Sequence, residues 1–181
     1  WDRVSALSPP ANPAWLDPAR PLVNRLSAAS ATLFGVPGFF RPRTPLNALG
    51  ALGAYDTQPL RETLLELVDF DLLNSGGVRL SVGAVNVRSG NSVYFDNSRC
   101  RLGVEHVMAS GALPPSFPPV QVGADLYWDG GIVSNSPLWY VLDDAPDLDA
   151  LILQVDLFSA HGALPTDLDG VQERSKYIKY S

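Results

Sequence analysis

Cysteine is nearly absent from this 181-residue sequence: Cys100 stands alone, which excludes an internal disulfide and a cysteine-based zinc cluster. It reads as a small filler or exposed thiol near a turn. Basic residues are also few. Thirteen Lys and Arg are scattered against nineteen Asp and Glu, a net charge of −6. Without clustered cations the chain has no surface suited to a phosphate backbone, so nucleic acid is excluded as a partner. No apolar run approaches the roughly 18 residues that a bilayer-spanning helix needs, and Trp1-Asp2-Arg3 does not read as a secretory signal. Methionine occurs once, at Met108, so residue 1 is not expected to be a translation start. Localisation signals belong to the upstream sequence expected from that, which leaves location open between cytoplasm and membrane periphery.

What is present is the composition of a globular domain, 46% apolar and 18% charged, in a length that suits one hydrophobic core. Residues 1–45 hold eight of the sixteen prolines among Trp1, Trp15, Phe34, Phe39 and Phe40, so 1–56 is expected to be a proline-rich cap of short helices and stiff turns. Its readings are an irregular insert on the core or a lid facing lipid. Leu22 to Phe34 is the candidate helix within it. The remainder, 57–181, reads as the α/β portion of the same domain.

Thr57-Gln58-Pro59 signals a helix start, with Thr57 as N-cap and Leu60, Leu64, Leu67 and Val68 on one stripe. After Asn74-Ser75-Gly76-Gly77, the alternation of Val78, Leu80, Val82 and Ala84 predicts a strand. Arg88-Ser89-Gly90-Asn91 turns it into a hairpin partner over Ser92 to Phe95. A short helix is expected over Glu105 to Ala112, ended by Leu113-Pro114-Pro115, followed by a loop and a short strand from Leu126 to Trp128. The apolar run Ala150 to Leu157 has the length of a buried parallel strand. Strands interleaved with helices predict an α/β fold, which keeps its sites at strand ends.

The chemistry points to such an end. Asp129 follows the aromatic pair Tyr127-Trp128 and precedes Gly130-Gly131. An apolar wall raises the basicity of a carboxylate by desolvation, and the glycines leave the backbone free to adopt φ > 0. That is the environment of a base that activates a hydroxyl. A calcium site from Asp125, Asp129 and Asp143-Asp144 is disfavoured, because these carboxylates lack the alternating spacing of a metal loop. No metal is expected.

Ala109-Ser110-Gly111-Ala112-Leu113-Pro114-Pro115-Ser116-Phe117-Pro118-Pro119, then Asp129-Gly130-Gly131, then Asn135-Ser136-Pro137, resembles the second half of patatin-like phospholipases. The family shows Ala-Ser-x-Ala-x-Pro-x-x-Phe-Pro-Pro, an Asp-Gly-Gly or Asp-Gly-Ala turn and an Asn-x-Pro in that order. The resemblance is strong over 78–157, and Trp1-Asp2-Arg3-Val4-Ser5 is similar to the segment that follows the family's nucleophile region. It implies a three-layer α/β/α fold, incomplete in this chain, and a Ser–Asp dyad that hydrolyses phospholipids, lysophospholipids or simpler esters without a cofactor. It gives Asp129 the dyad role, and no catalytic histidine is needed from His106 or His161. Gly130, Gly131 and Asn135 would support the turn, with Asn135 alternatively capping a helix that starts near Pro137. Phe117 and Pro118 are candidates for the wall of an acyl pocket, and peripheral membrane contact and bacterial origin go with this reading.

The resemblance places the family's glycine-rich oxyanion loop and G-x-S-x-G elbow before Trp1, in an upstream segment or a companion chain. Two local look-alikes do not replace them. Ser81, in Leu80-Ser81-Val82-Gly83, has Arg79 where an elbow needs a small residue, and it lies inside a strand pattern with no helix after it. Leu49-Gly50-Ala51-Leu52-Gly53 lacks the initial glycine run and a preceding strand. The alternative is a non-catalytic fragment or degenerate relative that binds another chain.

Overall fold

The computed structural model describes residues 20–44, 48–144, 149, 151–155 and 157–181. The expectations for Trp1 to Trp15 lie outside those residues. Helix α1 (Arg20–Phe34) opens the described chain, as the spacing of its leucines predicted. The two-residue strands β1 (Arg41–Pro42) and β2 (Tyr55–Asp56) pair antiparallel behind it.

Helix α2 (Gln58–Leu67) starts where the Thr-Gln-Pro signal placed it, but Thr57 makes no capping bond. Asp56 does that work instead, its Oδ1 accepting the Gln58 N–H at 3.0 Å. Thr57 itself is buried. A single turn, α3 (Phe70–Leu73), follows, capped by Asp69.

The main sheet has the order β4-β3-β6-β5, from β3 (Ser81–Asn86), β4 (Ser92–Asp96), β5 (Val120–Val122) and β6 (Asp125–Asp129). All its described pairings are antiparallel. Helix α4 (Val104–Ser110) lies on one face, where Ala84, Ala109 and Tyr127 form the core and Val93, Phe95, Val120 and Val122 pack around them. Helix α5 (Leu138–Asp144) meets the other face through Tyr140, stacked on Tyr94 at 4.1 Å. Successive strand residues alternate between these faces, which is why Phe95 touches Tyr127 while Tyr94 touches α5. Helix α6 (Leu168–Tyr180) closes the chain.

The predicted strand over Ala150 to Leu157 does not form among the described residues. Residues 151–155 are irregular, with Leu151 and Leu153 more than 80% exposed. A continuous apolar run becomes a buried strand only when a neighbouring strand takes up its backbone groups, and no described strand pairs with this one.

Candidate active site at the end of strand β6

Strand β6 is an interior strand, flanked by β3 and β5, and its last residue is Asp129. The Asp129 backbone is fixed twice. It stands opposite Ala84 in the β3 ladder, and its N–H donates to the Ala112 carbonyl at 3.1 Å. Ala112 ends the Ala-Ser-Gly-Ala stretch after α4, so two of the three motif elements meet at this hydrogen bond.

Past Asp129 the chain makes a 3-10 turn, Gly130–Ile132, with the Asp129 Oδ1 accepting the Gly131 N–H at 2.8 Å. The glycines are required by space, not by the positive φ that the sequence suggested: neither has φ in the left-handed region. A Cβ on Gly130 would collide with the β3 backbone, and one on Gly131 would crowd both Asp129 Oδ1 and Asn135 Oδ1. Asn135 thus flanks the turn beside Asp129. Its Nδ2 donates to the Tyr180 carbonyl at 2.5 Å, which braces the loop against α6 rather than capping α5.

Burial dominates the electrostatics of Asp129 and raises its carboxyl above the ordinary 3.8, with the Gly131 N–H pulling only partly the other way. Among the described residues, no cation or serine bonds the carboxylate, and Oδ2 carries no hydrogen bond. Next to it, the indole Nε1 of Trp128 is buried without a described partner.

Phe117 and Pro118 pack against the segment before β2. Phe117 joins Phe39, Phe40 and Tyr55 in an aromatic cluster with ring centroids 5.4 to 6.2 Å from its own. The backbone of Phe117 and Pro118 presses on Gly53, where a Cβ would stand 2.4 Å from Pro118 N. The glycine-containing segment before β2 is therefore a packing element: Ala54 and Tyr55 donate to the carbonyls of Pro115 and Ser116.

A second aspartate escaped the sequence reading. Asp96, fully buried, accepts hydrogen bonds from Arg79 Nε (2.8 Å) and Nη2 (2.6 Å), Ser81 Oγ (2.5 Å), Ser98 N (2.8 Å) and Oγ (2.6 Å), and Tyr140 Oη (3.3 Å). The Arg79 guanidinium, with Ser81 and Ser98, holds its carboxyl far below the usual range. A carboxylate so stabilised has no appetite for a serine proton. Ser81 is therefore a strand residue donating to a saturated acceptor, which disposes of it as a nucleophile. The signal available in sequence was the period-2 spacing of Arg79 and Ser81 facing Asp96 across the hairpin.

His106 is structural: its Nδ1 accepts the Gly103 N–H at 2.9 Å at the start of α4, and its ring meets Phe95 edge-on. His161 is exposed in a loop. Among the described residues no group of acids, histidines or cysteine is arranged to hold a metal ion.

A family model, patatin-like phospholipase, matches residues 13–142, more than half of the chain. The chain belongs to the patatin-like phospholipase family. The match reaches well before residue 78, where the motif resemblance was weaker, and takes in α1, the β1–β2 pair and α2. Family membership makes lipid hydrolysis the coarse functional assignment, and the mixture of helices and sheets agrees with an α/β fold. No curated protein matches the chain.

Proposed function

We propose that this patatin-like chain supplies the aspartate of a Ser–Asp dyad that hydrolyses acyl esters of lipids, with Asp129 as the general base. The supporting observation is the state of Asp129: ordered at an interior strand end, desolvated, raised in basicity, and carrying an Oδ2 with no described partner. The serine and its oxyanion donors come from outside the described residues, in an upstream segment or a companion chain, within a three-layer α/β/α arrangement. Oδ2 accepts the serine proton as the oxygen attacks the ester carbonyl. The resulting carboxylic acid protonates the departing alcohol. Water then gives a proton to the carboxylate as it attacks the acyl-enzyme, and that proton passes to the serine oxygen as the acyl–oxygen bond breaks and the fatty acid leaves. The reading needs no metal or cofactor, and gives Phe117 and Pro118 the wall of the acyl pocket.

A fluorophosphonate probe applied to the full-length protein tests this directly. Labelling of a serine outside the described residues, with hydrolysis reduced on the order of 10²- to 10⁴-fold in Asp129→Asn, is the expected result. Hydrolysis at the wild-type rate in that variant removes Asp129 from the mechanism. One observation favours a second reading, a non-catalytic binding protein. The described serine–aspartate bonds are all to Asp96, which is too weak a base to serve. Absence of probe labelling and of ester hydrolysis in the full-length protein would establish that reading.

A further inference from the structure

Gly83 is the bare position of strand β3, and two groups use the space it leaves. Gly130 seats the turn after Asp129 against its backbone. The second group is Tyr94. It stands opposite Gly83 in the β3–β4 ladder, and directly opposed residues present their side chains to the same face of a sheet. Its ring accordingly lies along Gly83, where an added Cβ would come within 3.2 Å of the ring edge. Tyr94 thus reaches from the edge strand β4 across β3 toward β6, the strand that ends in Asp129.

At the end of that reach is Ser134, whose side chain is hydrogen-bonded to that of Tyr94. Ser134 belongs to the Asp129 turn: its N–H and that of Val133 both donate to the Gly130 carbonyl, at 3.0 and 3.1 Å. One residue therefore ties the turn to a ring on another strand. That ring is itself held from behind. Tyr140 stacks on it at 4.1 Å with the planes 18° apart, and Trp139 meets it edge-on at 5.7 Å. The Tyr140 hydroxyl donates in turn to Asp96, which Arg79, Ser81 and Ser98 fix in place.

We propose that Tyr94 is a positioning residue for the base: its phenol holds Ser134, and through Ser134 the turn that keeps the Gly131 N–H on Asp129 Oδ1. Among the described residues that bond, at 2.8 Å, is the only one to the carboxylate, so the aim of Oδ2 depends on the turn keeping its shape. A base acts only within hydrogen-bond reach of the proton it takes, and a small displacement lowers rate rather than binding. Tyr94 acts through Ser134 and touches no substrate. The inference rests on the reading of Asp129 as the base of the dyad.

Tyr94→Phe keeps the stack and removes the hydroxyl. In the full-length protein, assayed on a p-nitrophenyl acyl ester, it should lower kcat on the order of tenfold and leave KM unchanged. Ser134→Ala should do the same, and the two together no more than either alone, because both delete one bond. Thermal melts establish that each variant is folded. Amide hydrogen exchange reads the turn without reference to catalysis: the Gly131 and Ser134 amides should exchange about three- to tenfold faster in Tyr94→Phe. Tyr140→Phe removes a hydroxyl from the same stack but spares the bond to Ser134, and should leave those two amides at the wild-type rate. Wild-type kcat in Tyr94→Phe, losses that add in the double variant, or equal acceleration of the two amides in Tyr140→Phe overturns the proposal. So does a raised KM at unchanged kcat, which would make Tyr94 a contact for substrate. Asp129→Asn keeps this inference apart from the dyad reading. Wild-type hydrolysis in Asp129→Asn removes the dyad whatever Tyr94 does, whereas its loss there beside wild-type kcat in Tyr94→Phe retains the dyad and overturns the role of Tyr94 alone.

Discussion

Gly130 rests on the backbone of Gly83: a Cβ added to it would stand 2.7 Å from both the Gly83 carbonyl carbon and oxygen. The turn that follows Asp129 is thus seated on strand β3 with no room for a side chain, and the seat sits beside the Ala84–Asp129 rung. Gly130→Ala must lift the turn away, at a cost of about 1 to 3 kcal/mol, and on the proposed dyad mechanism it should lower kcat more than it raises KM. Gly131→Ala meets side-chain oxygens, which can move, and should cost less. Urea melts of the two variants give the ordering, and a more damaging Gly131→Ala would contradict this account.

Asp129 should make the folded protein less stable when ionised. Its carboxyl is raised by burial, so its contribution is fully favourable below the unfolded value near 3.8 and is lost as pH rises through the higher folded value. Asp129→Asn should therefore melt above wild type at neutral pH, with the gap closing toward pH 3. The acid limb of kcat/KM should also lie above the pKa of an ordinary aspartate. A melting temperature below wild type at pH 7 would show that the carboxylate is stabilised by partners rather than desolvated.

Asp96 carries the opposite sign. Held far below the usual range by Arg79, it contributes stability that is present above the unfolded value near 3.8 and is lost as pH falls toward the depressed folded value. Asp96→Asn should cost about 2 to 4 kcal/mol at neutral pH, toward the lower part of what breaking a buried pair costs, because Arg79 is partly exposed and can rehydrate. The deficit should shrink in acid. Denaturant titrations at pH 7 and pH 3 measure both quantities.

Phe117→Ala should destabilise the fold by roughly 2 to 4 kcal/mol, since it empties the middle of the cluster with Phe39, Phe40 and Tyr55. A variant with unchanged melting temperature but altered preference for acyl length would instead make Phe117 a surface for substrate alone.

The features legible in the sequence were those written locally. Alternation and turn residues pointed to the β3–β4 hairpin, and aromatic-Asp-Gly-Gly pointed to the end of β6 and to the carboxylate proposed as the base. What escaped needed knowledge of distant neighbours. Asp96 reads as a polar residue at a strand end until Arg79 and Tyr140 are brought to it. The need for Gly130 reads as turn chemistry until Gly83 is seen beneath it. Leu151 to Val155 has the apolar pattern of a core strand, but pattern alone does not supply the strand that would cover it.

Strand β3 pairs Ser81 with Asp96 and Ala84 with Asp129, so two aspartates of opposite character attach to one ribbon three residues apart. Replacing either with alanine should abolish activity in cells, one by removing a reagent and the other by dismantling the bench. A screen that scores only survival would rank them alike. Soluble yield separates them: protein without the Asp129 carboxylate should accumulate in full, whereas protein without that of Asp96 should be cleared by proteases.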